Sequence, residues 1–276
     1  MDPARIAELL QPFLCSAITQ ATCHSDERSD EESVVLSPSQ LQHISTYIDI
    51  LLRWNARINL TGIRDPEEIV TRHFGESLFA ARHLFPATAH VGTAAQACPE
   101  RSRRGCPAER SLAPAVASRG SVPADTHAPS ETNDQRPATN GRITLADVGS
   151  GAGFPGLPIK LWAPRISLTL IESNQKKSTF LREVTRALTL TDIDIQTTRA
   201  ETLNRTFDVV TLRAVERFEA ILPTAANLVA PTGRLALLIG TSQLAQAHSL
   251  PTFTWQPTLP VPHSSSRILL IGTCQP

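Results

Sequence analysis

The chain has 276 residues, 41% of them hydrophobic, enough for one sizeable α/β core with attachments. Its 26 Lys and Arg balance 26 Asp and Glu, which argues against a nucleic-acid binder that is basic all over and leaves room only for a local basic patch. No run of 18 apolar residues occurs, so no membrane-spanning helix is predicted.

Residues 1–11 are amphipathic and carry Asp2 and Glu8, unlike a signal or transit peptide, and predict a cytoplasmic chain. A first helix is expected over 4–18. Residues 21–33 then read as disordered. Ser37 is placed to cap the next helix, with Pro38 at its first position and Gln40 closing a capping box. Leu41, Ile44, Ile48, Leu51 and Asn55 share one face of that helix. Trp54 falls where a packed seam residue is expected, and Asn55 and Asn59 where a turn between helices must be fixed. Asp65-Pro66-Glu67-Glu68 starts another helix, which carries Arg72, His73 and Phe74.

In residues 87–141 the only large apolar side chains are Val91, Leu112, Val116 and Val122. Such a stretch cannot offset its chain entropy by burial and reads as a disordered insertion. Its Arg101, Arg103, Arg104 and Arg110 suit a solvated insertion better than an RNA-touching arm. The five cysteines, Cys15, Cys23, Cys98, Cys106 and Cys274, form no CxxC pair, so neither a zinc site nor a disulfide framework is expected.

From residue 142 short apolar runs alternate with helical stretches. Strands are predicted over 143–148, 166–171, 193–197, 207–212 and 234–239, with a closing hairpin from 253–256 and 267–271 and a helix over 176–190. This is a doubly wound, mostly parallel α/β sheet. The expected organisation is an N-terminal helical region over 1–86, the insertion over 87–141 and a cofactor-binding domain over 142–276.

Asp147-Val148-Gly149-Ser150-Gly151-Ala152-Gly153-Phe154-Pro155-Gly156 follows the first strand and opens a helix. Gly149, Ser150, Gly151 and Gly153 let the chain turn tightly and let a ligand approach the backbone at the carboxyl end of the strand. Glu172 follows the second strand, where a carboxylate accepts from ribose hydroxyls, and Ala200-Glu201 follows the third, where an adenine would lie. The loop alone fits a dinucleotide or S-adenosylmethionine. Pro155 and Pro158 lack the backbone N–H groups that a pyrophosphate would need, which favours the latter.

Leu52-Arg53-Trp54-Asn55, Asn59-Leu60-Thr61, Arg72-His73 and Glu76-Ser77, taken with the glycine loop downstream, resemble the small-subunit ribosomal RNA methyltransferase G family, also called glucose-inhibited division protein B. The resemblance covers most of residues 37–86 and 142–270. It implies a Rossmann-like, seven-stranded methyltransferase sheet with an N-terminal helical extension. It also implies S-adenosylmethionine as cofactor and methylation of a guanine N-7 in 16S ribosomal RNA, with the RNA or small subunit as partner of a monomeric enzyme. By position it carries cofactor contacts onto Gly149, Phe154, Glu172, Ala200, Glu201 and Arg213. Arg53, Arg72 and His73 become candidates for holding RNA phosphates, against the alternative of an ordinary charged helix surface. One departure is Ile239-Gly240 where the family commonly has Lys-Gly.

Guanine N-7 carries a free lone pair, so the transfer needs alignment and desolvation rather than a general base. Two other readings stay open on the residues alone. One is a nicotinamide-dependent oxidoreductase, for which no proton-relay set is visible, and the other is a cofactor-binding RNA-interaction protein without catalysis.

Overall fold

The computed structural model describes residues 1–15, 35–86, 141–213 and 217–276. The expected disorder over 21–33, the insertion apart from Gly141, and Ala214 lie outside the described residues.

Helix α1 (Pro3–Leu14) is capped by Asp2 and ends where Cys15 turns extended. Helix α2 (Pro38–Asn55) starts at Ser37 with the expected capping box. At its end Asn55 ties the following turn, its Oδ1 accepting from Leu60 N and Thr61 N and its Nδ2 donating to Thr61 O. Asp65 caps α3 (Pro66–Glu68), which runs through a π-helical stretch (Ile69–Gly75) into α4 (Glu76–Leu84). The wider turn of that stretch carries Arg72 and His73.

Gly75 allows α1 to lie against this helix, since a Cβ there would meet the buried Phe13 ring at 2.6 Å. Gly75→Ala is expected to lower stability by about 1–2 kcal/mol, overpacking outweighing the better helix propensity of alanine. Denaturant unfolding measures it, and an unchanged midpoint would mean that α1 yields without cost.

The sheet has the order β3-β2-β1-β4-β5-β8-β6, and a short β7 pairs with β8. Strands β1 (Thr144–Val148), β2 (Ser167–Ile171), β3 (Ile193–Gln196), β4 (Phe207–Arg213) and β5 (Val229–Gly240) are parallel. β8 (Arg267–Cys274) runs antiparallel to β5, β6 (Phe253–Trp255) and β7 (Leu259–Pro260). The sheet therefore has eight strands rather than seven, the extra one a two-residue edge piece too short to show a period of two. β5 begins five residues before the predicted run. An irregularity at Pro231-Thr232-Gly233 lies inside the strand, with a register shift against β4 and Thr232 at φ 62°.

Alternate strand residues enter two cores. Leu145, Leu168, Leu170, Val209 and Leu238 pack with α1, α2, α4, α5 (Gly156–Trp162) and α6 (Gln175–Ala187). Ala146, Val148, Val210, Leu212 and Leu237 pack with α7 (Phe218–Asn227) and α8 (Leu244–His248). The N-terminal helices thus share one core with the sheet. Trp54 sits in the α2–α6 seam, edge-on to Phe180 and donating to Glu183 Oε2 at 2.9 Å. Helix α6 stops short of residue 190 because Thr189 takes a φ of 49°.

Leu84, Phe85 and Gly141 lie at the amino edge of the sheet. Arg234 donates to Leu84 O and Trp162 to Phe85 O, each at 2.9 Å, and Gly141 lies just before β1.

Candidate active site

The strand order reverses between β1 and β4, and the crevice outside their carboxyl ends is the usual ligand position in an open α/β sheet. The glycine loop lies there. Gly149 and Ser150 donate their N–H groups to Ile171 O, and Ser150 Oγ donates to Asp147 O, fastening the loop to β1 and β2. Gly149, Gly151 and Gly153 have φ of 68°, 54° and 85°.

The two sides of the loop differ. A Cβ on Gly153 would collide with Tyr47 Oη, whereas one on Gly151 would meet nothing closer than Gly149 O at 3.8 Å. Gly153 thus faces packed protein, and Gly151 faces open space where a ligand can approach the backbone. Tyr47, fully buried on α2, donates to Ala152 O at 2.5 Å, and burial pushes its phenol above the ordinary tyrosine range, so it stays a donor.

Glu172 lies beneath the open side. Its Oε2 accepts from Gly151 N at 2.9 Å and its Oε1 from Asn174 N at 2.7 Å. A carboxylate has about four acceptor sites, so positions remain for the two hydroxyls of a ribose. Ala200 is buried and Glu201 exposed in the turn after β3. These residues fit an adenosyl group. A pyrophosphate is less well served. At the start of α5 Gly156 N donates to Asp147 Oδ2, Leu157 N to Gly153 O and Ile159 N to Pro155 O, and Pro158 has no N–H. The donors that would hold a phosphate are spent.

Asp147, quoted in the glycine-loop motif and left without a role, holds the start of α5 from beneath the loop. It is 1% exposed and also accepts from Thr211 Oγ1 at 2.9 Å. Burial, opposed by those hydrogen bonds, pushes its carboxyl up to about 6. The signal was legible: an acid in an apolar strand needs buried partners.

Phe154 does not face the crevice with its ring. The ring lies parallel to Tyr47 and to His73, at centroid distances of 5.4 and 4.7 Å, and joins the loop to the N-terminal helices. Only its backbone stands beside the cradle. Arg213 is also more enclosed than a crevice arginine. It donates from Nε and Nη2 to Glu76 Oε2, from Nη2 to Arg72 O at 2.7 Å and from Nη1 to His73 Nδ1 at 3.2 Å.

His73 is corrected as a candidate for RNA phosphate. Its Nδ1 accepts from Arg213, which leaves Nε2 as the protonated nitrogen donating to Thr61 Oγ1 at 2.8 Å. Burial first, then Arg213 and Arg72, push it down to about 3, so it is neutral and brings no charge. Arg53 is exposed and 3.7 Å from Glu183, and Arg72 is partly exposed. Ile239 is buried in the α7 core, so the position where the family commonly has lysine offers no contact to the crevice.

Glu76 was quoted within the family resemblance and given no role. It is 3% exposed and meets Arg213 at 2.9 Å, Arg267 at 2.5 Å and Arg72 at 3.6 Å. An acid on the buried face that also carries Val70, Phe74 and Leu78 was the available signal.

A parallel sheet closed by an antiparallel β5–β8–β6 edge, with an adenosyl-fitting cradle at its switch point, places the protein among the Rossmann-like methyltransferases. A profile described as rRNA small subunit methyltransferase G matches residues 40–95 and 134–256. The ribosomal RNA small subunit methyltransferase G of Bacillus pumilus is 26% identical over 265 residues, 88% of this chain and 86% of its own. That of Halorhodospira halophila is 32% identical over 216 residues, 78% and 77% of the two chains. The solved ribosomal protein L11 methylase of Lactobacillus delbrueckii subsp. bulgaricus covers 50% of this chain and 73% of its own at 20% identity, with a TM-score of 0.43. The chain belongs to the rRNA small subunit methyltransferase G family.

Proposed function

We propose that the protein transfers the methyl group of S-adenosylmethionine to N-7 of a guanine in 16S ribosomal RNA, without a general base. The observation that carries the cofactor is the asymmetry of the glycine loop. Gly151 is open above Glu172, while the α5 N–H groups that a pyrophosphate would occupy are used inside the protein. Bound S-adenosylmethionine supplies an electrophilic methyl group on a sulfonium.

The chain's own residues hold and align. Gly151 and Glu172 seat the adenosyl part, and Tyr47 and Phe154 fix the loop from behind. Among the described residues, the titratable groups around the ends of β1 and β4 are engaged: Asp147 by Gly156 and Thr211, His73 by Thr61 and Arg213, and Glu76 by its arginines. None is held ready to take a proton, and attack by N-7, whose lone pair is free at neutral pH, requires none.

Incubation with radiolabelled S-adenosylmethionine and purified small ribosomal subunits is expected to place the label in 7-methylguanosine. Label in another nucleoside would overturn the N-7 assignment. Cofactor binding without transfer would leave a binding protein.

A further inference from the structure

The carboxyl edge of the sheet is furnished in two halves. The glycine loop, Glu172 and Ala200-Glu201 follow β1, β2 and β3. On the other half, Arg213 ends β4, and Arg267 opens β8 opposite Gly240, the last residue of β5. Arg72 joins them from the π-helical stretch, and all three guanidinium groups converge on Glu76. One buried carboxylate is neutralised by one arginine, and Arg213, 7% exposed, is already in place.

The other two are surplus. Arg72 has a second partner, Glu68 at 3.2 Å, so three guanidinium groups face two carboxylates and leave net positive charge. Their side chains are 40% (Arg72) and 30% (Arg267) exposed, and Arg267 donates only its Nη1 among the described residues. The buried Glu76 thus fixes two guanidinium forks whose remaining N–H groups face solvent. His73, stacked on Phe154 with its Nδ1 accepting from Arg213, is neutral and neither competes for an anion nor repels one.

We propose that Arg72 and Arg267 form a phosphate subsite for the substrate strand, on the acceptor half of the crevice, with Glu76 as the anchor that orients them. Planar forks with several N–H groups suit a phosphate oxygen pair, and a preset orientation reduces the entropy lost on binding. This rests on the RNA methyltransferase reading above and assigns the acceptor side to these two residues.

The test uses the full chain with Arg267→Gln, Arg267→Lys and, as a control at the opposite edge of the sheet, Arg165→Gln. Three readouts are taken: the Kd for S-adenosylmethionine by calorimetry, the KM for small ribosomal subunits, and binding of a short single-stranded RNA oligonucleotide over a range of salt. Arg267→Gln is expected to raise the subunit KM about tenfold, to flatten the salt slope of oligonucleotide binding by about 0.7, and to leave the cofactor Kd within about twofold. Arg267→Lys keeps the charge and is expected to keep the slope, and Arg165→Gln to match the parent.

A parental KM and slope in Arg267→Gln would overturn the subsite, as would a Lys variant whose salt slope is as flat as that of the Gln variant or a cofactor Kd that weakens as much as RNA binding. If the parent protein labels no subunit RNA, the proposed function fails, while the oligonucleotide slope still decides the subsite.

Discussion

Arg213→Ala is expected to cost about 3 kcal/mol of folding stability as well as activity. An arginine serving only a ligand would leave stability unchanged on removal. Here the guanidinium is 7% exposed and satisfies Glu76 Oε2, Arg72 O and His73 Nδ1 together. Truncation leaves all three acceptors without that donor in a place water reaches poorly. Breaking a buried ion pair by removing one partner costs about 3–5 kcal/mol. The lower end applies, because Arg267 still holds Glu76 Oε1. Urea unfolding measures the loss, and a cycle with Glu76→Gln isolates the pair, with an expected coupling of about 2 kcal/mol. A fully stable variant with impaired transfer would return Arg213 to the crevice as a pure ligand contact. The sequence led to that simpler expectation because a strand-end arginine shows nothing of a helix residue 137 positions earlier.

Local features were legible and distant partnerships were not. Ser37, Pro38 and Gln40 specify a helix start within four residues, and the structure has that capping box. The alternation of short apolar runs and helical faces was enough for the parallel sheet, since each strand sends alternate residues into two cores. Glu172 was legible because its place after the second strand follows from topology. The role of Tyr47 was not legible, because its bond to Ala152 O spans 105 residues. The enclosure of His73 escaped notice for a related reason. A histidine beside an arginine on a polar-looking helix reads as surface until Phe154 is found stacked on it. β7 escaped because two residues carry no periodicity.

Asp147→Asn is expected to change the pH dependence of stability in a direction fixed by burial. In the unfolded chain the Asp147 carboxyl titrates near 3.8, and in the fold it is pushed up to about 6. The folded protein therefore binds more protons than the unfolded chain between those values. That contribution to stability is full below 3.8 and is lost as pH rises through 6. One pH unit corresponds to about 1.4 kcal/mol, so the loss amounts to about 3 kcal/mol. His73 works in the opposite sense. Its folded value is pushed down to about 3 from 6.5, so its contribution is present above 6.5 and is lost as pH falls toward 3. Between about pH 4 and 6 the two slopes oppose one another in the parent protein. Asparagine removes only the first. The stability difference, variant minus parent, should therefore rise by about 2.4 kcal/mol between pH 4 and pH 7, the remaining groups cancelling in the subtraction. The lost hydrogen bond to Gly156 or Thr211 sets the offset at pH 4 and leaves the slope untouched. Urea unfolding of both proteins at pH 4, 5, 6 and 7 gives the difference directly. Parallel curves would mean that Asp147 ionises in the fold as readily as in the unfolded chain. The charge beneath the glycine loop would then be compensated by more than Gly156, Thr211 and the nearby Arg213.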